Sequence, residues 1–358
     1  MSTTQTSSPA SARSEGLILE ENHDLPLCRL QLTMRVGSTS DQTAAGTAAS
    51  GGAPILGLCN FASELQRRGA GNRTRAAIDE ALDGLGAGLS IVCWHDQVLY
   101  DVMALREHFD RAVEILADVV LRPTFPQDES ERLRRELLAN LDDLRDDDSG
   151  LLHRFFARAL YGDTPYGRAV AGTEESTMAL HLPGAQAWHR HHLVTGNLVT
   201  GAAGAISGSD VEALLARHFG EIPLGPRRDE PIAAPPLRRG RKVLIVDKPE
   251  RTQSQILIGQ LAPHWKDPSW LPLHVSTMAF GGTFTARLMD EVRAKRGLSY
   301  GASARLGNGR GQRSLYAHVF PSAQQTAETV ELVLRLYEEW AEKGLRPGEL
   351  DFVKSYLQ

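Results

Sequence analysis

In the stretch GLCNFASELQRRG, Gly57 to Gly69, three side chains capable of chemistry stand close together: Asn60, Ser63 and Glu64. Read as a short apolar helix, the segment sets Asn60 and Glu64 four residues apart on one face, a spacing at which two side chains can reach a common ion. The residue types do not suit a catalytic zinc. An amide, a hydroxyl and a single carboxylate supply neither the neutral imidazoles nor the ligand number that such a site uses. Their other reading is polar residues lining a cleft. A second pair lies far along the chain in VRAKRGLSYG, where Arg293 and Tyr300 stand seven residues apart at the junction of a helix and a strand. Guanidinium and phenol are both hydrogen-bond donors, and donors aimed at developing negative charge lower the barrier to a tetrahedral intermediate. Taken locally, an Arg on a helix surface and a Tyr at a strand start serve more often in packing or as solvated groups.

Other polar clusters carry less. WHRHH sets His189 and His192 at helical i, i+3 spacing, but imidazoles at a helix C-terminus read as dipole partners before they read as metal ligands. His95-Asp96 falls in a hairpin turn, with no Ser or Cys at nucleophile-elbow spacing beside it. LRDDDSG is an acidic helix end leading to the next cap and lacks the alternating ligands of a calcium loop. Three cysteines, Cys28, Cys59 and Cys93, form no C-x-x-C motif and are too few for a disulfide framework, so they read as small, reduced core residues.

A chain of 358 residues with 42% apolar content is long enough for two domains. Its 39 basic and 44 acidic residues leave a formal charge of -5 without long single-sign runs, which disfavours nucleic acid and membrane surfaces as partners. Residues 1–16 are small and polar, predicting a disordered tail without the apolar core of a secretion signal. No later segment approaches eighteen uninterrupted apolar residues, and the expected location is cytoplasmic. LILEE and CRLQLTMRVG predict an antiparallel strand pair, and TSDQTAAGTAASGGAP a mobile small-residue loop delivering the chain into the Asn60 helix. RTRAAIDEALDGLGAG predicts a helix closed by glycine, followed by a strand pair, LSIVCW and VLYDVMAL. Helices follow at HFDRAVEILADVVL, DESERLRRELLANLDDLRD and GLLHRFFARALYG. The fold class is α+β, antiparallel sheets with segregated helices.

PLGPRRDEPIAAPPLRRGR is proline-rich, charged and aperiodic, a linker over 226–240 between domains at 17–225 and 241–358. Beyond it KVLIVDKPE and SQILIGQLAP predict another strand pair. The second half echoes the first. GLS at Gly88 leads to VLYDVMAL and AVEILADVVLRPTFPQDESERLRREL; GLS at Gly297 leads to SLYAHVF and TVELVLRLYEEWAEKGLRPGELDFVKSYL. Strand, strand, helix, proline turn and acidic-capped helix recur at an offset of about 210 to 220 residues, the mark of duplicated domains. The first copy runs about 80 residues past its matched helix while the second stops within it. The expectation is a truncated second domain whose sheet edge and apolar surface need a continuation or a partner to cover them.

Over Leu17 to Gln358 the chain resembles the insulinase/pitrilysin family of zinc peptidases, the inverzincins. The resemblance rests on YGDTPYGRAVAGTEES (Tyr161 to Ser176), GGTFTARL (Gly281 to Leu288) and VRAKRGLSYG (Val292 to Gly301), in family order. It implies two tandem α+β domains forming a clamshell. In active members the opening helix carries H-x-x-E-H, two histidines on one face and a Glu that activates the bound water, with a distal Glu as third ligand. Matched to that pattern, Asn60 and Glu64 occupy the histidine positions, Ser63 that of the base, and Asn140, about 76 residues beyond Glu64, that of the distal Glu. The degenerate positions imply that this chain binds no zinc itself.

The resemblance also gives Arg293 and Tyr300 a role, because an Arg and a Tyr at this spacing bond the substrate across the cleft from zinc. It makes Ser90, Ile91 and Val92, in GLSIVCW, candidates for main-chain pairing with an extended peptide; an ordinary core strand is the other reading. The implied function is a non-catalytic subunit of a two-subunit peptidase. In such a heterodimer a zinc-bearing paralogue provides the metal and base, and this chain supplies Arg293 and Tyr300 in trans for peptide hydrolysis. A catalytically inert structural or peptide-binding scaffold is the alternative.

Overall fold

The computed structural model describes residues 16–42, 55–228, 231–237 and 239–357. Residues 1–15 and 43–54, where the sequence predicts the polar tail and most of the small-residue loop, lie outside the described residues. In chain order the first elements are β1 (Leu17–Glu21), β2 (Leu27–Met34), α1 (Leu58–Gln66), the two-residue strands β3 (Gly69–Ala70) and β4 (Arg73–Thr74), α2 (Arg75–Gly84), β5 (Gly88–Cys93) and β6 (Val98–Leu105). Helices α3 (Arg106–Leu121), α4 (Gln127–Asp143), α5 (Asp148–Tyr161), α6 (Glu174–Met178) and α7 (Leu182–His192) precede β7 (Leu198–Gly204) and α8 (Gly208–Phe219). Then come β8 (Ile256–Leu261), α9 (Trp270–Thr277), β9 (Ser299–Leu306), β10 (Ser314–Pro321), α10 (Thr326–Lys343) and α11 (Glu349–Tyr356).

The chain forms two compact units. The first comprises residues up to Asp143 together with Ala169–Pro231, the second Leu144–Arg168 together with residues from Ile232 onward. A single cut in the 226–240 linker therefore does not describe the packing, because the segment holding α5 joins the second unit. The reason lies in its apolar and aromatic face. Phe156 meets the ring of Tyr316 edge-on, His153 meets Tyr316 and His318, and the Tyr166 hydroxyl accepts a bond from the Gly311 N–H at 2.8 Å. The acidic run before α5 is also engaged: Asp147 caps the helix through the Gly150 N–H, and Asp148 pairs with Lys248 and Arg251.

In the first unit the strand order is β1-β7-β2-β6-β5. The alternation of β2 and β6 fixes the inward face: Cys28, Leu30, Leu32 and Met34 are buried beside Val98, Tyr100, Val102 and Ala104. The expected antiparallel pairing of LILEE with the next strand does not occur. β7 lies between them, antiparallel to β2 and parallel to β1. Local pattern cannot reveal such an insertion, because β7 arrives from far along the chain and competes for the same edge of β2.

The second unit repeats the inner part of this plan as β8-β10-β9, with β8, β10 and β9 in the places of β2, β6 and β5. Its core gathers Phe280, Leu288, Val292, Leu315, Val319, Leu336 and Trp340. KVLIVDKPE forms no strand, and Val243 and Ile245 are 80% and 83% exposed. A strand is made by its ladder, and the second unit has no β7-like neighbour among its described residues.

Candidate functional site

The two groups of residues that the sequence singles out sit in different units. In the first unit, α1 starts at Gly57, whose φ of 85° suits glycine and whose hydrogens approach the Ala171 carbonyl too closely for a β-carbon. The helix has no cap of its own. Asp41 supplies one from the preceding segment, accepting the N–H groups of Gly57 and Cys59 at 2.8 Å each. Burial pushes the Asp41 carboxyl up to about 7, against those N–H bonds. Leu58, Phe61, Ala62 and Leu65 bury the inner face against α7 and β5.

Asn60 and Glu64 do share a face, and they are joined to each other: the Asn60 amide donates to Glu64 Oε1 at 2.8 Å. Ser63 is fully buried and its hydroxyl donates to the carbonyls of Cys59 and Asn60, one turn back along its own helix. Asn140 is exposed on α4. A hydroxyl committed to helix carbonyls and an amide committed to the neighbouring carboxylate do not fit a catalytic zinc site. Burial raises the Glu64 carboxyl, while Asn60 and the charge of Arg68 oppose the shift.

Two residues past the end of α1, and four beyond Glu64, stands Arg68. Its guanidinium is nearly buried and pairs with Glu136 at 2.5 Å and Glu129 at 3.3 Å, both on α4. Arg75 and Arg132 approach the same two carboxylates. An ion-pair network thus ties α1 to α4 near the degenerate positions. The i, i+4 spacing of Asn60, Glu64 and Arg68 was available as a signal, but the partners on α4 were not.

Among the described residues β5 is an edge strand, paired with β6 alone. Arg67 Nη1 donates to the Leu89 carbonyl at 2.9 Å, so Leu89 turns its backbone away from β6. Antiparallel alternation then turns the backbone of Ile91 outward as well, whereas Ser90 and Val92 spend theirs on β6.

In the second unit, Arg293 lies on a widened helical turn, Asp290–Ala294, where the Lys295 N–H bonds five residues back to the Asp290 carbonyl. Glu291 anchors this turn through Arg296 at 2.6 Å, Lys295 at 2.9 Å and Arg346 at 3.2 Å. Its carboxyl is held down at about 2, chiefly by Arg296. Gly297, at φ 63°, turns the chain into β9 and delivers Tyr300 alongside Arg293. The Arg293 guanidinium carbon sits 4.7 Å from the Tyr300 ring centre and 4.8 Å from that of Phe284. Tyr300 is 77% exposed and Phe284 69%. Phe284, from GGTFTARL, is a member of this cluster that spacing alone did not disclose.

Two of the histidines at the C-terminal end of α7 are buried. His189 bonds the Val120 carbonyl at 2.8 Å, and His192 packs against Trp188 and His191 with burial lowering it to about 3, so the ring stays neutral. Among the described residues no three His, Cys, Asp or Glu side chains converge on a point that could hold a metal. No helix among them is long and apolar enough to cross a membrane.

Residues 17–174 match the insulinase family, peptidase family M16, and residues 185–357 match the peptidase M16 inactive domain. An uncharacterized zinc protease of Mycobacterium leprae is 28% identical over 315 residues, covering 86% of this chain and 69% of that protein. The non-peptidase homolog YmxG of Helicobacter pylori is 25% identical over 345 residues, 95% of this chain and 76% of that one. The beta subunit of the mitochondrial-processing peptidase of Bos taurus is 24% identical over 225 residues, 63% of this chain and 46% of that one. Among solved structures, a peptidase M16 inactive domain from Pseudomonas fluorescens superposes with a TM-score of 0.89 at 25% identity, over all of this chain and 83% of that one. On both of its halves, the chain belongs to the insulinase family, peptidase family M16.

Proposed function

We propose that this chain is the non-catalytic subunit of a two-subunit cytoplasmic peptidase. The partner is a paralogue carrying H-x-x-E-H, and Arg293 and Tyr300 of this chain bind an extended peptide at the partner's zinc. The carrying observation is the Arg293–Tyr300 cluster itself. Among the described residues no carboxylate pairs with the Arg293 guanidinium, and both donors lie at the surface instead of being spent on the core. A guanidinium held by ring faces, without a carboxylate partner, keeps N–H donors for a carbonyl oxygen. The phenol adds a second donor, and together they favour the charge that develops as the carbonyl becomes tetrahedral. Kinship with a named subunit of a processing peptidase supports the pairing.

Co-expression with a paralogue bearing H-x-x-E-H tests the reading. The expected result is a stable complex with peptidase activity that falls when Arg293 or Tyr300 is replaced by Ala. A complex whose activity ignores both substitutions overturns it. The outward backbone of Ile91, on a strand that is at the sheet edge among the described residues, favours a second reading, an inert peptide-binding scaffold. That reading gains if the complex binds extended peptides and no zinc-bearing partner is found.

A further inference from the structure

Two cysteines stand at the contact between α1 and β5. Cys59 Sγ and Cys93 Sγ are 3.1 Å apart, bringing together residues 34 positions apart in sequence. Cys59 is fully buried on α1, whereas Cys93 is half-exposed at the end of the edge strand and its thiol also faces the Trp94 carbonyl. The other end of the same helix is already fixed to the same strand, through Arg67 and the Leu89 carbonyl. The two attachments agree in length. Eight helical residues from Cys59 to Arg67 rise about 12 Å, and four strand residues from Leu89 to Cys93 span about 13 Å. α1 therefore runs antiparallel along β5, and its two ends meet Cys93 and Leu89 in register.

We propose that Cys59 and Cys93 form a site of reversible disulfide formation, oxidised by small-molecule disulfides, that staples α1 to the edge strand. The separation must close by about 1 Å to reach the roughly 2.05 Å of a disulfide. This proposal is independent of the subunit reading. The order of the two steps follows from the surroundings. A thiol in the first turn of a helix is ordinarily acidified by the helix N-terminus. Here Asp41 occupies that N-terminus, and burial pushes the Cys59 thiol up instead. Cys93, with access to solvent, is the attacking group. Its thiolate displaces one thiol from the reagent and forms a mixed disulfide. Cys59 sulfur then attacks Cys93 Sγ and expels the second thiol. One reagent disulfide is reduced to two thiols, which take up the two protons the cysteines lose, and one protein disulfide forms.

The test uses the whole chain, native, with excess glutathione disulfide, followed by acid quench, alkylation after unfolding, intact mass and a non-reducing peptide map. The expected product takes up one alkyl group where the reduced chain takes up three, and before alkylation it is lighter by the two hydrogens lost in forming the disulfide. The Cys59 and Cys93 peptides should be linked and Cys28 alone alkylated. The oxidised chain should also show slower amide exchange in β5, reversed by a dithiol reductant. In Cys59→Ser the reaction should stop at a stable glutathione adduct on Cys93, and in Cys93→Ser no adduct should accumulate on the remaining thiols. A wild-type chain that keeps three alkylatable thiols, or that holds glutathione on Cys93 with Cys59 still free, overturns the proposal.

Discussion

The guanidinium carbon of Arg293 lies 4.7 Å from the centre of the Tyr300 ring, although the two residues belong to different elements joined by the turn at Gly297. The contact aligns two donors in one surface cluster and shares the cation with Phe284. In complex with a zinc-bearing partner, Arg293→Ala and Tyr300→Phe should each lower kcat by about 100-fold or more, the usual loss for a transition-state donor. Phe284→Ala removes only a ring contact, a loss of about 0.5–1 kcal/mol, and should act through KM. Steady-state kinetics on the three variants separates these effects, and equal losses in all three would argue for a purely structural cluster.

Arg68 is the group that binds α1 to α4, through Glu129 and Glu136. Arg68→Met leaves two carboxylates facing a nearly buried position, with Arg75 and Arg132 offering partial compensation. The expected destabilisation is about 1.5–3 kcal/mol, as for hydrogen bonds to charged groups. Urea unfolding monitored in the first unit measures it. A change near zero would class the network with exposed surface pairs, which contribute little.

Asp41 and His192 give the first unit two pH dependences of opposite sign. Asp41 is raised from 3.8 to about 7, so its contribution is fully present below pH 3.8 and is lost as pH rises through 7. His192 is lowered from 6.5 to about 3, so its contribution is present above pH 6.5 and is lost as pH falls toward 3. Between pH 3.8 and 6.5 the two slopes oppose, each up to about 1.4 kcal/mol per pH unit. Asp41→Asn should expose a stability that rises with pH over this range, and His192→Phe one that falls. Chemical denaturation at stepped pH is the measurement, and parallel profiles for the two variants would contradict the assignment.

Glu291 acts on the second unit. Held from 4.5 down to about 2 by Arg296, Lys295 and Arg346, it contributes stability above pH 4.5 that disappears as pH falls toward 2. Glu291→Gln should flatten that acid limb and loosen the turn carrying Arg293. Amide exchange at Val292–Leu298 reports the second effect directly, and unchanged protection there would separate Glu291 from the placement of Arg293.

The sequence by itself determined the helices and the β5–β6 hairpin, because their apolar periods and turn residues are local. It also determined the duplicated order, the residue types at Asn60, Ser63, Glu64 and Asn140, and the spacing of Arg293 and Tyr300. Tertiary structure decided what depends on chain segments meeting from afar. β7 separates β1 from β2, α5 packs with the second sheet, and Val243–Val246 stays outside any ladder. Asp41 caps a helix sixteen residues ahead, Arg68 finds its carboxylates on α4, Phe284 joins Arg293, and Cys59 meets Cys93. The physical reason is the same in each case. Period and propensity act over a few neighbouring residues, whereas strand partners, trans caps and buried ion pairs are selected by which surfaces collapse together, and no local pattern encodes that choice.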